Sequence, residues 1–164
     1  MKLVFITDAW QPLVGGGQKL FWELTNRLAK DHHCQIIVIT RALKFANQTF
    51  NQPESYLDNQ LKIIRLGPAL PFFNPFGRIW FTFQSLIYCL KFKPDIYLAS
   101  TWLPAFTLYF LKLMKRIPMV LIAIGFGTSN RFYQSLEKFI SQTLKYDLII
   151  TDDYTFYQIK KNIK

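Results

Sequence analysis

The residues with the clearest potential for chemistry lie between positions 8 and 19. An acidic residue, Asp8, precedes three consecutive glycines, Gly15, Gly16 and Gly17, and Lys19 follows them. A glycine loop that opens a helix lets backbone N–H groups approach a phosphate closely, and a lysine adds positive charge. The spacing is neither the dinucleotide-binding G-x-G-x-x-G nor the P-loop, which requires Gly-Lys-Ser/Thr. The pattern predicts either a phosphate-binding loop or a flexible turn between a strand and a helix.

Hydrophobic periodicity places this loop in an α/β fold. Short β-rich runs alternate with longer amphipathic stretches, as in βαβ units with a parallel sheet. Strands are predicted at Lys2–Thr7, Ile36–Thr40, Lys62–Leu66, Asp95–Ala99, Met119–Ile124 and Asp147–Thr151. Helices are predicted at Gln18–Lys30, Arg78–Phe92, Leu103–Lys115, Arg131–Lys145 and Tyr154–Lys161. The polar stretch 41–60 predicts a long surface loop. We therefore expect a Rossmann-like, doubly wound parallel sheet of about six strands.

Ligands of such sheets bind outside the carboxyl ends of the strands. Asp8 follows the first predicted strand, and Thr101 and Trp102 follow the fourth, so these three are candidates for lining a ligand pocket. A tryptophan packed into the core is the alternative at position 102. Arg131 begins a predicted helix and is a candidate for contacting a phosphorylated ligand, with a solvent-exposed arginine as the alternative.

Composition predicts one basic domain with an anionic partner. The chain has 164 residues, 20 Lys+Arg against 10 Asp+Glu, a net charge of +10 and 17% aromatic residues. Between Asp58 and Glu137 the only acidic residue is Asp95. This balance suits nucleic acid, a phospholipid surface or a phosphorylated ligand. Neither a groove-reading basic helix nor an aromatic sheet motif occurs, so we expect no nucleic-acid partner.

The aromatic and basic stretch 72–93 predicts a helix that is either buried or in contact with a membrane. In the second case the interface residues are Arg78, Trp80, Phe81, Lys91 and Lys93. In the first case the helix is buried and its lysines extend to solvent. The longest uncharged run is shorter than the about 20 residues that a spanning helix needs. With no secretory signal visible either, we expect a cytoplasmic chain, with peripheral attachment at the inner face of the membrane in the second case.

The cysteines and histidines do not predict a metal site. Cys34 and Cys89 are far apart in sequence and have no nearby ligand cluster, so we expect two buried thiols rather than zinc ligands or a disulfide. His32 and His33 stand beside Asp31 at a predicted helix end, which is typical of a solvated turn.

Four short motifs, in order along the chain, resemble the N-terminal domain of GT-B glycosyltransferases of the family-4 type. Together they span nearly all of the 164 residues. The motifs are Pro12-x-x-Gly15-Gly16 before an amphipathic helix, Lys93-Pro94-Asp95-Ile96, Ile117-Pro118-Met119-Val120-Leu121, and Lys145-Tyr146-Asp147-Leu148-Ile149-Ile150.

The resemblance implies a retaining transferase that uses a nucleotide-sugar as co-substrate and no other cofactor. Its N-terminal domain would hold a glycan or lipid-linked acceptor, which makes Asp8, Thr101, Trp102 and Arg131 acceptor-side candidates. Gly15 and Gly16 fall where the family's glycine loop approaches the donor diphosphate. Many relatives carry a histidine after the fifth strand, whereas residues 123–129 contain none. No catalytic residue is therefore assigned.

The resemblance also implies that the donor-binding C-terminal domain is absent from residues 1–164. Three explanations remain open: a truncated gene, a half-enzyme that pairs with a separate donor-binding chain, and a stand-alone domain without catalysis. The enzymatic hypothesis is glycosyl transfer with this chain as the acceptor-side domain. The alternative is a non-catalytic, membrane-associated partner subunit of a two-chain glycosyltransferase or glycan-building complex.

Overall fold

The computed structural model describes residues 1–13, 15–45, 48–71, 74–100, 103–124, 135, 139 and 146–151. Eight strands in this part of the chain form one sheet: β1 (Lys2–Thr7), β2 (Gln35–Phe45), β3 (Gln48–Phe50), β4 (Glu54–Tyr56), β5 (Leu61–Leu70), β6 (Ile96–Ser100), β7 (Met119–Ala123) and β8 (Leu148–Thr151). The described residues also contain the helices α1 (Gly16–Lys30), α2 (Pro75–Leu90) and α3 (Leu103–Met114).

Six of the strands are parallel and lie in the order β5-β2-β1-β6-β7-β8. The short strands β3 and β4 pair antiparallel with β2 and β5. After β1 the chain adds β2 and β5 on one side of β1. It then adds β6, β7 and β8 on the other side. The predicted doubly wound sheet is thus confirmed, and its six predicted strands are the parallel ones. The crevice of such a fold lies beyond the carboxyl ends of β1 and β6.

Alternate residues of β1 pack against helices on opposite faces of the sheet. Phe5 belongs to the same buried cluster as Phe21 of α1. Its neighbour Ile6 belongs to a second cluster, which contains Phe81 of α2 and Leu108 of α3. Both faces of β1 are therefore covered, and this explains why the strand is apolar from Leu3 to Ile6.

The prediction of a long loop at 41–60 was wrong. Strand β2 continues past Thr40 to Phe45, and the chain then forms β3 and β4 before β5 begins. Residues 48–56 are mostly exposed because these strands lie at the margin of the sheet, where polar side chains face water. Strand β5 also extends beyond its predicted end to Leu70, with Gly67 at φ +89 in its path.

Helix α2 begins at Pro75 rather than at the predicted Arg78. Asn74 is its N-cap, and the Asn74 side chain accepts a hydrogen bond of 3.2 Å from the Gly77 N–H. Asparagine at the cap and proline at the first helical position are a favourable start for a helix. The predicted helices at 131–145 and 154–161 fall outside the described residues, apart from Ser135 and Phe139.

Candidate functional site

Three charged residues meet where β1 and β2 approach the carboxyl edge of the sheet. Asp8 follows β1, Arg41 lies within β2, and Arg78 lies near the start of α2. Asp8 Oδ1 is 3.5 Å from Arg41 Nε, and Asp8 Oδ2 is 3.3 Å from Arg78 Nε. Because two guanidinium groups face one carboxylate, this Asp8–Arg41–Arg78 cluster carries a net positive charge.

Burial governs the electrostatics of the cluster. It raises the pKa of Asp8, although Arg41 and Arg78 lower it in part. It also lowers the pKa of Arg41, and Asp8 opposes that change. Arg41 is buried and donates a hydrogen bond of 3.4 Å from Nη1 to the Asn74 carbonyl, whereas the Arg78 side chain is 21% exposed. Arg78 is therefore the cation of the cluster that reaches solvent, and the Asp8 side chain is exposed to a similar extent.

The glycine loop ends in a helix start that no side chain caps. Gly15 is the N-cap of α1 in extended backbone conformation, and the first turn carries no acidic residue. Lys19 N–H donates to the Gly15 carbonyl at 3.0 Å, so the N–H groups of Gly16, Gly17 and Gln18 precede the first bond of the helix. A Cβ added to Gly16 would meet no described atom within 4 Å. Among the described atoms, the space beside Gly16 at the positive end of the helix dipole is therefore open, whereas the Gln18 side chain lies against Gly15.

Side chains from two other strands anchor the segment between β1 and the glycines. Arg65 of β5 donates from Nη2 to the Gln11 carbonyl at 2.8 Å. Ser100, the last residue of β6, donates to Thr7 Oγ1 at 3.2 Å, and Thr7 in turn donates to the Ala9 carbonyl. The buried Trp10 contacts the ring of Phe5 edge-on. The loop therefore starts from a fixed position beside the carboxyl ends of β1 and β6.

Buried polar atoms in this region that lack a hydrogen-bond partner among the described residues include Trp10 Nε1, Thr40 Oγ1 and Arg65 Nη1. Buried donors and acceptors are normally satisfied by protein, water or ligand. Their presence marks the strand-end region as polar inside as well as at its surface.

The structure brings together only part of the predicted site. Asp8 lies in the charged cluster, Gly15, Gly16 and Gly17 open α1, and Lys19 is exposed on its first turn. Thr101, Trp102 and Arg131 lie outside the described residues. Arg41 and Arg65 were not predicted as site residues. The sequence signal for Arg41 was an arginine directly after an apolar strand, whereas Arg65 lies within a predicted strand and had no such signal.

The predicted membrane-interface set needs two corrections. Phe81 is fully buried, because it lies on the side of α2 that packs against the sheet. Arg78 pairs with Asp8 at the strand ends instead of lying among the exposed aromatic residues of α2. Trp80, Lys91 and Lys93 are exposed, as an interface would require.

The prediction of two buried thiols is confirmed. Cys34 and Cys89 are both free and buried, and burial raises the pKa of Cys89 to about 12. Within the described residues, no group of three or more metal-ligating side chains comes together.

Comparisons with known proteins identify the fold. No protein-family model and no curated protein matches the sequence. Sucrose-phosphate synthase from Thermosynechococcus elongatus matches with a TM-score of 0.73 at 15% identity, over 98% of this chain and 44% of that one. A second structure of that synthase matches with a TM-score of 0.64 at 12% identity, over 93% and 77%. The catalytic domain of starch synthase IV from Arabidopsis thaliana, bound to ADP and acarbose, matches with a TM-score of 0.57 at 17% identity, over 76% and 34%.

Both enzymes are GT-B glycosyltransferases. The chain has the fold of one part of these GT-B enzymes. It spans 44% of the sucrose-phosphate synthase chain and 34% of the starch synthase chain, so the likeness concerns one part of each enzyme. At 15% and 17% identity the likeness is one of fold.

Proposed function

We propose that this chain is the N-terminal, acceptor-side domain of a retaining glycosyltransferase of the family-4 type. The reaction would transfer a glycosyl group from a nucleotide-sugar to a glycan or lipid-linked acceptor. The observation that carries the proposal is the uncapped N-terminus of α1, with open space at Gly16, at the carboxyl edge of β1 in a GT-B fold.

The glycine loop would contact the diphosphate of the donor. The N–H groups of Gly16, Gly17 and Gln18 offer donors at the positive end of a helix, and the exposed Lys19 adds a cation. When the bond between the sugar and the diphosphate breaks, negative charge grows on the leaving diphosphate oxygen. Donors fixed in place before the reaction stabilise that charge, because they need no reorganisation as it develops.

The Asp8–Arg41–Arg78 cluster would act on the acceptor side. Both Asp8 carboxylate oxygens face arginines, so we assign Asp8 to positioning the guanidinium groups rather than to binding an acceptor hydroxyl. Arg78 reaches solvent and would attract an acceptor that carries a phosphate or carboxylate group. Thr101, Trp102 and Arg131 remain candidates for the rest of the acceptor pocket.

Catalysis would need a donor-binding domain as well. The chain matches under half of the sucrose-phosphate synthase chain, so most of the nucleotide-sugar contacts would come from a further domain or from a separate donor-binding subunit. In that arrangement the strand-end crevice forms one wall of the cleft in which the sugar is transferred.

Nucleotide release tests this proposal. The purified chain is mixed with UDP-, ADP- and GDP-sugars, alone and together with a candidate donor-binding GT-B domain. We expect release only in the mixture, and a fall of about 10²-fold with Gly16→Val, in the range found for removing one oxyanion-stabilising donor. The matched control Lys30→Gln changes an exposed residue at the other end of α1 and should leave the rate unchanged. Release by the chain alone, abolished by Gly16→Val, would show that it needs no donor-binding partner.

A further inference from the structure

Helix α2 exposes a continuous apolar stripe on the side away from the sheet. Ile79 is 66% exposed and Phe83 is 59% exposed, and their spacing places both on one helix face. The same face carries further large apolar side chains over almost the whole helix: Phe76, Trp80, Ile87 and Leu90. A soluble surface rarely exposes so many large apolar residues together unless it meets another surface.

Helix α3 extends this apolar surface. Phe110, Leu113 and Met114 are exposed near its C-terminal end. The two helix ends meet there, because Lys115 Nζ donates to the Leu90 carbonyl at 3.1 Å and to the Cys89 carbonyl at 2.9 Å. We call the nine exposed side chains of the two helices the α2–α3 face.

A basic pocket begins where the apolar stripe of α2 ends. Lys91 and Lys93 lie within three residues of Leu90 and line a cavity of about 650 Å³ together with Lys2 and Lys62. All four lysines are exposed, and no residue that lines the cavity is acidic. Two carboxylates, Asp58 and Asp95, are next in sequence to lining residues, so the four lysines outnumber them, and Asp95 accepts a hydrogen bond of 2.7 Å from the Lys2 N–H. The pocket therefore carries a concentrated positive charge.

We propose that the α2–α3 face docks on an anionic phospholipid surface, with lipid phosphates in the basic pocket at Lys91 and Lys93. Charge complementarity selects this occupant: neither α2 nor α3 contains an acidic residue, and the chain carries +10 overall. Aromatic side chains flanked by lysines are typical of peripheral membrane contact. No helix in the described residues has the length and apolar character to cross a bilayer.

The direction of α2 determines how far the strand-end crevice would lie from the membrane when the α2–α3 face docks. Arg78, near the start of α2, pairs with Asp8, and Lys91 at its end lines the basic pocket. A helix of 16 residues is about 24 Å long. With α2 along the membrane, the crevice would open within one helix length of the lipid headgroups, as a lipid-linked acceptor would require. This last step rests on the proposed function, whereas the docking itself does not.

Vesicle flotation tests the docking without any assay of sugar transfer. The purified chain is floated with phosphatidylcholine vesicles and with vesicles that contain about 30% phosphatidylglycerol, at about 0.05 M and about 0.5 M NaCl. We expect binding to the anionic vesicles at low salt and at least about tenfold weaker binding to the neutral ones. Equal binding to both vesicle types, or binding that high salt leaves unchanged, would overturn the charge-based proposal.

Two double variants separate the contributions of charge and apolar contact. Lys91→Gln/Lys93→Gln should weaken binding about 25-fold, since each juxtamembrane lysine contributes about fivefold. Ile79→Ser/Phe83→Ser should weaken it at least about tenfold through lost apolar burial. The control Leu20→Ser/Lys30→Gln makes the same kinds of change at exposed positions of α1, on the opposite side of the sheet, and should bind as the parent does.

Circular dichroism on every variant checks that the fold is retained. Sedimentation of the chain without lipid distinguishes the rival occupant, a second copy of the chain. A stable dimer that Ile79→Ser/Phe83→Ser dissociates, together with no flotation, would overturn the proposal. Flotation of a monomeric chain, lost in the two α2-side variants and kept in the α1 control, would establish it. Neither outcome depends on glycosyl transfer, so this proposal and the proposed function can fail separately.

Discussion

Asp8 forms an ion pair with the buried Arg41, with 3.5 Å between Asp8 Oδ1 and Arg41 Nε, at the edge of the sheet where a ligand of this fold would bind. The second carboxylate oxygen faces Arg78 at 3.3 Å. Charges are costly to bury even when they are paired. The cluster therefore suits a site that holds positive charge in place more than it suits a core built for stability alone.

The raised pKa of Asp8 predicts a pH effect on stability. Burial is its main cause, so the folded state holds the Asp8 proton more tightly than the unfolded chain does. The contribution of Asp8 to the free energy of unfolding should fall as pH rises from about 4 through the raised pKa, and stay low above it. Urea unfolding from pH 4 to pH 8 should show Asp8→Asn gaining on the parent by about 1.4 kcal/mol per unit of raised pKa. A difference that is independent of pH would contradict the assignment.

Arg41→Met should be strongly destabilising. It removes one of the two arginines that face the Asp8 carboxylate and the Arg41 hydrogen bond to the Asn74 carbonyl. The cost should be about 2–3 kcal/mol, below the about 3–5 kcal/mol of a buried charge left without any partner, because Arg78 still faces Asp8. Arg78→Met should cost less, because that side chain is partly exposed. The double variant Asp8→Asn/Arg41→Met should recover part of the loss, since no carboxylate that has lost one of its two arginines remains. Urea unfolding of the parent, Asp8→Asn, Arg41→Met and the double variant measures the coupling energy between the two residues. Strict additivity of the two single changes would mean that the pair does not interact.

Lys115 should matter more to stability than the nearby Lys112. Lys115 Nζ donates to the carbonyls of Cys89, Leu90 and Phe92 and so closes the C-terminal end of α2. Removing charged hydrogen bonds of this kind with Lys115→Met should cost about 1.5–3 kcal/mol. The matched change Lys112→Met breaks an exposed pair with Asp147 and should cost less than about 1 kcal/mol. Thermal unfolding compares the two, and equal losses would contradict the role given to Lys115.

The sequence was sufficient for the fold because its strongest signals are local. The apolar run Lys2–Thr7 and the glycines before an amphipathic helix appear in the structure as β1 and the start of α1. The six predicted strands are all present as parallel strands, with shifts of a few residues at their ends. A run of apolar residues indicates a strand that is buried on both faces, and in a doubly wound sheet helices cover both faces.

The misses depend on partners that are distant in sequence. Polar residues 48–56 look like a loop because edge strands β3 and β4 need few apolar side chains. The pairing of Asp8 with Arg41 and Arg78 joins three separate elements, and no local pattern predicts it. Phe81 and Phe83 are the same residue type on the same helix, yet Phe81 is buried and Phe83 is exposed. The position of the neighbouring sheet decides which face of α2 is covered.

Gly16→Ala should lower the affinity for a diphosphate without lowering the stability of the fold. The new Cβ would enter the open space in front of α1 without touching a described atom, so the free energy of unfolding should change by less than about 1 kcal/mol. Affinity for inorganic pyrophosphate should fall at least about fivefold, because the methyl group occupies the path of the ligand. Gly17→Ala should lose less, since its Cβ would lie 3.8 Å from the Phe21 ring, in ordinary packing contact. Calorimetric titration compares the three proteins, and equal affinities would exclude close approach at Gly16.

The most direct test of the account is to follow the backbone amides during a titration with UDP, with uridine as the control that lacks the diphosphate. We predict that UDP shifts the amide resonances of Gly16, Gly17 and Gln18 first, that uridine does not, and that Gly16→Val removes the response while the remaining spectrum stays that of the folded chain. Shifts that leave these three amides unchanged, or that persist in Gly16→Val, would contradict the claim that the start of α1 is the diphosphate site of a glycosyltransferase.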